Sequence, residues 1–190
     1  MKKKRGRLFI ISGPSGAGKS SLIDDALKDL NDFVKSVSVT TRQKRINEVD
    51  GVRYRFVSKK EFEELKKNDS LLECAGYSDC LYGTPKNFVE EQLNLGKNVI
   101  LEIEVKGATQ VKEKIKDAYL IFITASSLEN LKERLVKRGT EKIEEIRKRL
   151  KISGEEIKSQ KYYDCIIVNN DYNEALQNLK HVLNTNKGGS

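Results

Sequence analysis

An α/β protein built on a parallel sheet, with helices on both faces, is predicted by three observations. Short continuous apolar runs such as Leu8–Ile11 and Tyr119–Ile123 are what strands buried on both faces require. Between such runs, apolar residues recur at spacings of three and four, the period of helices that pack along one side. The first run passes through a glycine-rich turn straight into a helix pattern, the strand–loop–helix order of a crossover unit.

Taken in order, Leu8–Ile11 is the first buried strand, and a helix from about Ser20 to Leu30 carries Leu22, Ile23, Ala26, Leu27 and Leu30 on one face. Val37 and Val39 alternate with Ser36, Ser38 and Thr40, so a half-buried strand is expected there. Residues 42–57 turn polar and arginine-rich, with a turn at Asp50-Gly51 before Tyr54, Phe56 and Val57. Ser58-Lys59-Lys60-Glu61 is a capping box that opens a short helix through Phe62 and Leu65. Leu71–Ala75 reads as a strand and Tyr77–Gly83 as a turn region. Thr84-Pro85 is expected to start a helix, as N-cap and first helical residue, with Gly96 as its stop. Asn98–Val105 returns to the sheet, with Val99, Leu101, Ile103 and Val105 on one face and Ile100, Glu102 and Glu104 on the other. A helix near 107–116 and the Tyr119–Ile123 strand follow. Ser126-Ser127-Leu128-Glu129 is a second capping box for a helix to about Arg138, broken at Gly139-Thr140 before another from about Glu141 to Lys158. Cys165–Val168 is the final strand, and a last helix covers about 172–183. Lys187–Ser190 is polar and glycine-rich and is expected to be disordered.

Gly13, Gly18, Lys19 and Ser20 satisfy the phosphate-binding pattern G-x-x-x-x-G-K-[ST] in the required setting. Glycines let the backbone curl so that several N–H groups face one point, beside the positive end of a helix. Lys19 is expected to reach terminal phosphates, and the Ser20 hydroxyl to hold a magnesium ion. Glu102 and Glu104 lie where open α/β sheets bind ligands, at the carboxyl end of a strand.

Composition narrows the class. With 190 residues the chain is long enough for one domain with a full core, and no apolar run approaches the ~18 residues of a membrane span. The basic start is followed by too short an apolar run for a secretory leader, so a cytoplasmic location is expected. Cys74, Cys80 and Cys165 form no C-x-x-C pair, and with His181 the single histidine a histidine-based metal site or Ser-His triad is excluded. The net charge is +8, yet the aromatic–basic interleaving of single-strand binders is missing, so no specific nucleic acid is expected. The arginines are more telling than the charge: they cluster at 5 and 7, at 42, 45, 53 and 55, and at 134, 138, 147 and 149. Arginine grips phosphate oxygens bidentately, so the two internal clusters point to two further phosphate-gripping segments.

Ordered motifs run along the chain: Ser12–Ser21, then Ser36–Arg42 with Arg45, Glu48, Gly51 and Tyr54, and Phe56–Ser58, Leu72-Glu73 and Tyr82–Thr84. They continue through Leu101–Val105 with Gly107, Arg134-Leu135, Arg138–Glu141, Arg149-Leu150, Tyr163-Asp164 and Val168-Asn169. On these residues the chain resembles the guanylate kinases from Leu8 to about Leu183.

What the resemblance implies is a magnesium-dependent kinase that moves a phosphoryl group from ATP to GMP, and to dGMP, within purine nucleotide metabolism. It implies one domain over 1–190, with a core of about 8–35, 85–125 and 160–184, a GMP-binding lobe of about 36–84 and a lid of about 127–158. Gly13, Pro14, Ser15, Gly16, Ala17, Gly18, Lys19, Ser20 and Ser21 would bind ATP with Arg134, Arg138 and Asn169. Ser38, Arg42, Arg45, Tyr54 and Tyr82 would hold the GMP phosphate, and Glu73, Thr84 and Glu104 would read guanine. Lys19, Arg42, Arg134, Arg138 and Arg149 would be catalytic, and Ser20 with Glu102, directly or through water, would face the metal.

The chain departs from the family pattern in several places. Many relatives carry aspartate at the positions of Glu102 and Glu104, and the longer side chain moves the charge by about one carbon–carbon bond. Lys106 stands for a glutamine, Asn47 for a glycine, Cys74 for a tryptophan, and Ala125-Ser126-Ser127 for a proline-containing turn. The division of roles between Glu102 and Glu104 stays open, as does homo-oligomerisation. Other readings are a peptide-binding module, which an intact Lys19 and Ser20 oppose, and a kinase for another phosphorylated acceptor, which Glu73 with Thr84 opposes.

Overall fold

Strand β1 (Leu8–Ser12) is buried along its whole length, as a run with no polar alternation must be if both faces are covered. The computed structural model describes residues 4–188 apart from 47, 78 and 139–142, with the side chains of Tyr77, Arg138 and Glu145 also outside the description. In it β1 is the centre of a five-stranded, all-parallel sheet with β2 (Phe33–Lys35), β7 (Asn98–Glu102), β8 (Tyr119–Thr124) and β9 (Cys165–Val168), in the order β2-β7-β1-β8-β9.

Alternate residues of β1 serve opposite faces. Phe9 and Ile11 pack with Ile100, Ile121 and Ile123 against α1 (Lys19–Leu27), α5 (Leu128–Arg138) and α7 (Tyr172–Asn186). Leu8 and Ile10 pack with Val99, Leu101 and Leu120 against α3 (Lys86–Asn94) and α4 (Val105–Lys114). The predicted two-faced parallel sheet is therefore present. Among the described residues no helix is long and apolar enough to cross a membrane.

A second, four-stranded sheet, β4-β3-β6-β5, stands beside the first. It is formed by β3 (Ser38–Thr40), β4 (Tyr54–Phe56), β5 (Leu71–Tyr77) and β6 (Cys80–Pro85), with α2 (Lys59–Lys67) against it through Phe62. Helix α6 (Ile143–Lys158) returns from α5 towards the core.

Several local expectations are corrected. Strand β2 is missing from the sequence reading because two apolar residues and a lysine are too short a signal, yet Phe33 reaches the core, 5.5 Å from Phe9 ring to ring. The 77–83 segment is not a turn region. Asp79 takes the left-handed turn with φ 63°, and Cys80–Pro85 pairs antiparallel with β5. The Asp50-Gly51 turn exists, with Gly51 at φ 79°, but it joins parallel strands, because β4 pairs parallel with β3. Thr84 does not cap α3, whose N-cap position is Pro85. Strand β7 stops at Glu102, so Glu104 sits at the N-cap of α4 instead of in the strand.

The capping boxes behave differently from one another. Ser58 accepts from the Glu61 N–H at 3.1 Å as expected, while the Glu61 carboxylate turns to Arg55 at 2.7 Å. At α5 the cap is Ser127, which accepts from the Asn130 N–H, and Ser126 takes the Asn130 side chain. Helix α1 ends at Leu27, short of Leu30, and α7 runs on to Asn186. The tail beyond it is anchored as far as it is described: Lys187 pairs with Asp32 at 3.0 Å and the Gly188 N–H donates to Asn98 at 3.0 Å. Arg7, from the basic start, is a structural group, donating to the Asn186 carbonyl and lying over the Tyr119 ring.

Candidate active site

All five core strands run in one direction, so the loops at their carboxyl ends gather along one edge of the sheet. The β1–α1 loop is the tightest of them. A Cβ on Gly13 (φ 143°) would lie 1.9 Å from the Ile123 carbonyl oxygen, and one on Gly18 (φ 86°) would lie 2.5 Å from the Asn169 amide. Both glycines are required, by backbone conformation and by space. The Asn169 side chain donates to the Ala17 carbonyl at 2.8 Å, and Arg134 donates to the Asn169 carbonyl at 2.6 Å. These two residues buttress the loop from behind.

On the open side, the Lys19 ammonium donates to the Gly13 carbonyl and to that of Pro14 at 3.0 Å. Arg149, from α6, donates to the Ser15 hydroxyl at 2.8 Å, which brings the α6 arginine directly onto the loop. Register places Glu102 beside Ile11, and the Ser20 hydroxyl donates to its carboxylate at 2.6 Å. Burial by itself would raise the Glu102 pKa. The Lys35 and Lys19 charges, with hydrogen bonds from Lys35 and Ser20, outweigh it and hold the group below the ordinary carboxylate range.

The second sheet forms the opposite wall. Arg42 pairs with Glu48 at 2.7 Å and lies over the rings of Tyr54 and Phe56, each 5.4 Å from its guanidinium. Glu48 also accepts from the Arg45 N–H at 2.9 Å, so one carboxylate arranges both arginines of the segment. Tyr54 and Tyr82 meet edge to face at 5.8 Å. Burial, with Glu102 nearby, pushes the Tyr54 phenol up to about 12, so it remains a neutral donor.

At the inner end, Glu73 of β5 is buried, and the Thr84 hydroxyl donates to its Oε1 at 2.8 Å. Desolvation pushes this carboxyl up to about 7, against the lowering effects of Thr84 and Lys114. Glu104 is also pushed up to about 7, by burial first and then by Glu156, with Glu73 adding to it. The two glutamates thus differ in partners and in electrostatic setting. Glu102 serves the loop at Ser20, while Glu104, at the N-cap of α4, lines the same cleft among the charges of Glu156, Lys19 and Glu73.

One cleft of about 310 Å³ joins the walls. Of the sequence-predicted residues it is lined by Gly13, Ser15, Lys19, Ser20, Ser38, Arg42, Arg45, Tyr54, Glu73, Tyr82, Glu102, Glu104 and Arg149. Thr84 is fully buried behind Glu73, and Asn169 and Arg134 lie behind the loop. Arg138 closes α5, but its side chain lies outside the described residues. Lys35, Ser36, Glu48, Arg53, Ala75, Ile103 and Glu156 also line it without having been given a site role from the sequence. Glu156 had a signal, because it follows Arg149 by seven residues with the buried Ser153 between them, one face of a helix.

Comparison with known proteins identifies the family. The family model described as guanylate kinase matches residues 5–186. The chain belongs to the guanylate kinase family. It is 45% identical over 183 residues to the guanylate kinase of Oceanobacillus iheyensis, covering 96% of this chain and 89% of that one. The Clostridioides difficile guanylate kinase is 46% identical over 185 residues, covering 97% and 90%. A crystal structure of guanylate kinase from Anaplasma phagocytophilum superposes with a TM-score of 0.81 at 32% identity, covering 97% of this chain and 88% of that one. This member of the guanylate kinase family is therefore an enzyme, a nucleoside monophosphate kinase, and membership supports ATP-dependent phosphorylation of GMP.

Proposed function

We propose that the enzyme transfers the γ-phosphoryl group of ATP to GMP, and to dGMP, giving ADP and the diphosphate, with magnesium, as a cytoplasmic step of purine nucleotide metabolism. The observation that carries the reading is one cleft with the phosphate loop at one end and the buried Glu73 carboxyl at the other. Guanine presents N1–H and the N2 amine as adjacent donors, and an ionised carboxylate offers two acceptor oxygens. Adenine has no N1–H, so the same carboxylate would be left with an unpaired oxygen.

In this reading the lobe of about 36–84 takes the acceptor, and the helix pair of about 127–158 is the lid over the donor. Thr84 orients Glu73, and Glu104 adds an acceptor near the guanine. Ser38, Arg42, Arg45, Tyr54 and Tyr82 take the GMP phosphate, while loop residues 13–21 cradle the ATP phosphates. Asn169 and Arg134 act by holding the loop, and Arg149 reaches it from the lid. Arg138 is proposed as a second lid contact to the phosphates.

Ser20 and Glu102 are hard oxygen donors 2.6 Å apart, and this pairing fits magnesium, which keeps most of its ligands as water and phosphate. Among the described residues no group of three or more acidic, histidine or cysteine side chains forms a cage, as suits a cation that arrives with the triphosphate. When bound, the cation would neutralise charge on the β- and γ-phosphates.

The chemistry asks little of a base. An anionic GMP phosphate oxygen forms a bond to the γ-phosphorus as the bond to the β–γ bridging oxygen breaks, and ADP leaves with that electron pair. Lys19, Arg42 and Arg149 meet the charge that develops, and closing the lid over the cleft would exclude water. A coupled assay with GMP, dGMP, AMP, UMP and CMP tests the reading. GDP formation should dominate, and equal rates with AMP and GMP would sink the guanine assignment.

One position offers a sharper check. A Cβ on Gly107, in the first turn of α4, would lie 2.7 Å from Glu73 Oε2 and 3.1 Å from its Cδ. Gly107→Ala should displace the carboxylate and lower kcat/KM for GMP by about 10-fold or more, with the KM for ATP little changed. Unchanged GMP kinetics would show that Glu73 does not need that position.

A further inference from the structure

Lys35 is the last residue of β2, at the edge of the core sheet, and its side chain is only 17% exposed. Its ammonium meets two carboxylates, Glu102 Oε2 at 2.8 Å and Asp24 Oδ1 at 3.2 Å. The other oxygen of Glu102 accepts from the Ser20 hydroxyl at 2.6 Å. The other oxygen of Asp24 is taken by Arg53 at 2.5 Å, immediately before β4 in the second sheet. A continuous line of paired groups, Ser20–Glu102–Lys35–Asp24–Arg53, therefore runs from the phosphate loop to the acceptor lobe.

The line has a physical use. A glutamate carboxylate swings on one more rotatable bond than an aspartate, and fixing it costs more side-chain entropy. Lys35 holds the oxygen that Ser20 does not, so both carboxylate oxygens are committed and one orientation remains. A largely buried ion pair contributes little net stability once desolvation is counted, so what it supplies here is orientation.

We propose that Lys35 is a positioning residue of the phosphate-loop cation site, fixing Glu102 against Ser20 and tying that pair through Asp24 and Arg53 to the acceptor lobe. The inference rests on the reading of Ser20 and Glu102 as the metal-facing pair. It adds a cation of this chain that the phosphate-loop pattern does not include.

The test is Mn²⁺ titration, read by electron paramagnetic resonance, of the full chain with a non-hydrolysable ATP analogue. Manganese takes the same oxygen-rich octahedral sites as magnesium. Lys35→Met, which keeps the apolar stem, should weaken Mn²⁺ binding about 10-fold, the usual scale for partners that orient a metal-facing group. Lys35→Arg should retain most of the affinity, and Asp24→Asn should give a smaller loss in the same direction. If the methionine variant does not fold, Lys35→Gln carries the same expectation. Unchanged Mn²⁺ affinity in a folded variant overturns the proposal, and tighter binding overturns it too, marking Lys35 as a competitor for Glu102. ATP-dependent GDP formation by the unaltered chain checks the functional reading separately, so the two can fail independently.

Discussion

Lys19→Ala is expected to lower kcat for ATP-dependent GDP formation by roughly 10²–10³-fold while the chain stays folded. The scale is that of removing one preorganised charge aimed at a transition state. The ammonium sits at the mouth of the loop on the carbonyls of Gly13 and Pro14, where phosphate oxygens would compete for it. The fold does not depend on this residue, since α1 is anchored by Leu22, Ile23 and Ala26 in the core. Steady-state kinetics with circular dichroism and a thermal melt check the expectation. Retained kcat in a folded variant would remove the loop lysine from the chemistry.

Glu73→Gln is expected to reduce the GMP-over-AMP preference by about 10²-fold or more, because an amide places a donor where guanine also presents donors. The variant should fold, as the Thr84 hydroxyl can donate to the amide oxygen as it does to the carboxylate at 2.8 Å. An unchanged preference would mean that another group reads the base.

The same residue sets a pH dependence, and its sign is opposite for stability and for binding. Desolvation raises the Glu73 carboxyl from 4.5 to about 7 in the folded chain. Its proton therefore favours the folded state below the unfolded value, and that contribution fades as pH rises through 7. Guanine binding needs the ionised form, so GMP affinity should rise over the same interval, by roughly tenfold between pH 6 and pH 8. Glu104 and the GMP phosphate titrate nearby, so the quantity to measure is the difference between the native chain and Glu73→Gln in KM for GMP against pH. Parallel profiles would exclude Glu73 from the titration.

How much of this was legible varies with how local each signal is. The β1–loop–α1 unit was readable because Gly13, Gly18, Lys19 and Ser20 act within one turn of chain. The Ser58 cap and the Gly96 stop of α3, with φ 80° and the Lys97 N–H on the Gln92 carbonyl, were readable for the same reason. Thr84 misled because Thr-Pro is locally a helix start, while a buried carboxylate 11 residues away makes a stronger claim on the hydroxyl. Strand β2 and Lys35 gave no periodic signal, and their roles come from β7, whose residues lie more than sixty positions along the chain.

The sequence by itself determined the alternation of strands and helices, the phosphate loop and the residues that match the guanylate kinase family. These are encoded by neighbours in the chain, through apolar period, glycine conformation and motif spacing. Only the tertiary structure decided which charges meet. It set Glu102 on Ser20 and Lys35, Glu104 at the N-cap of α4, Arg149 on the loop and Arg134 behind it. The reason is that carboxylates and cations of one type are interchangeable in a sequence. Strand register and burial give each of them its own partners and its own electrostatic setting.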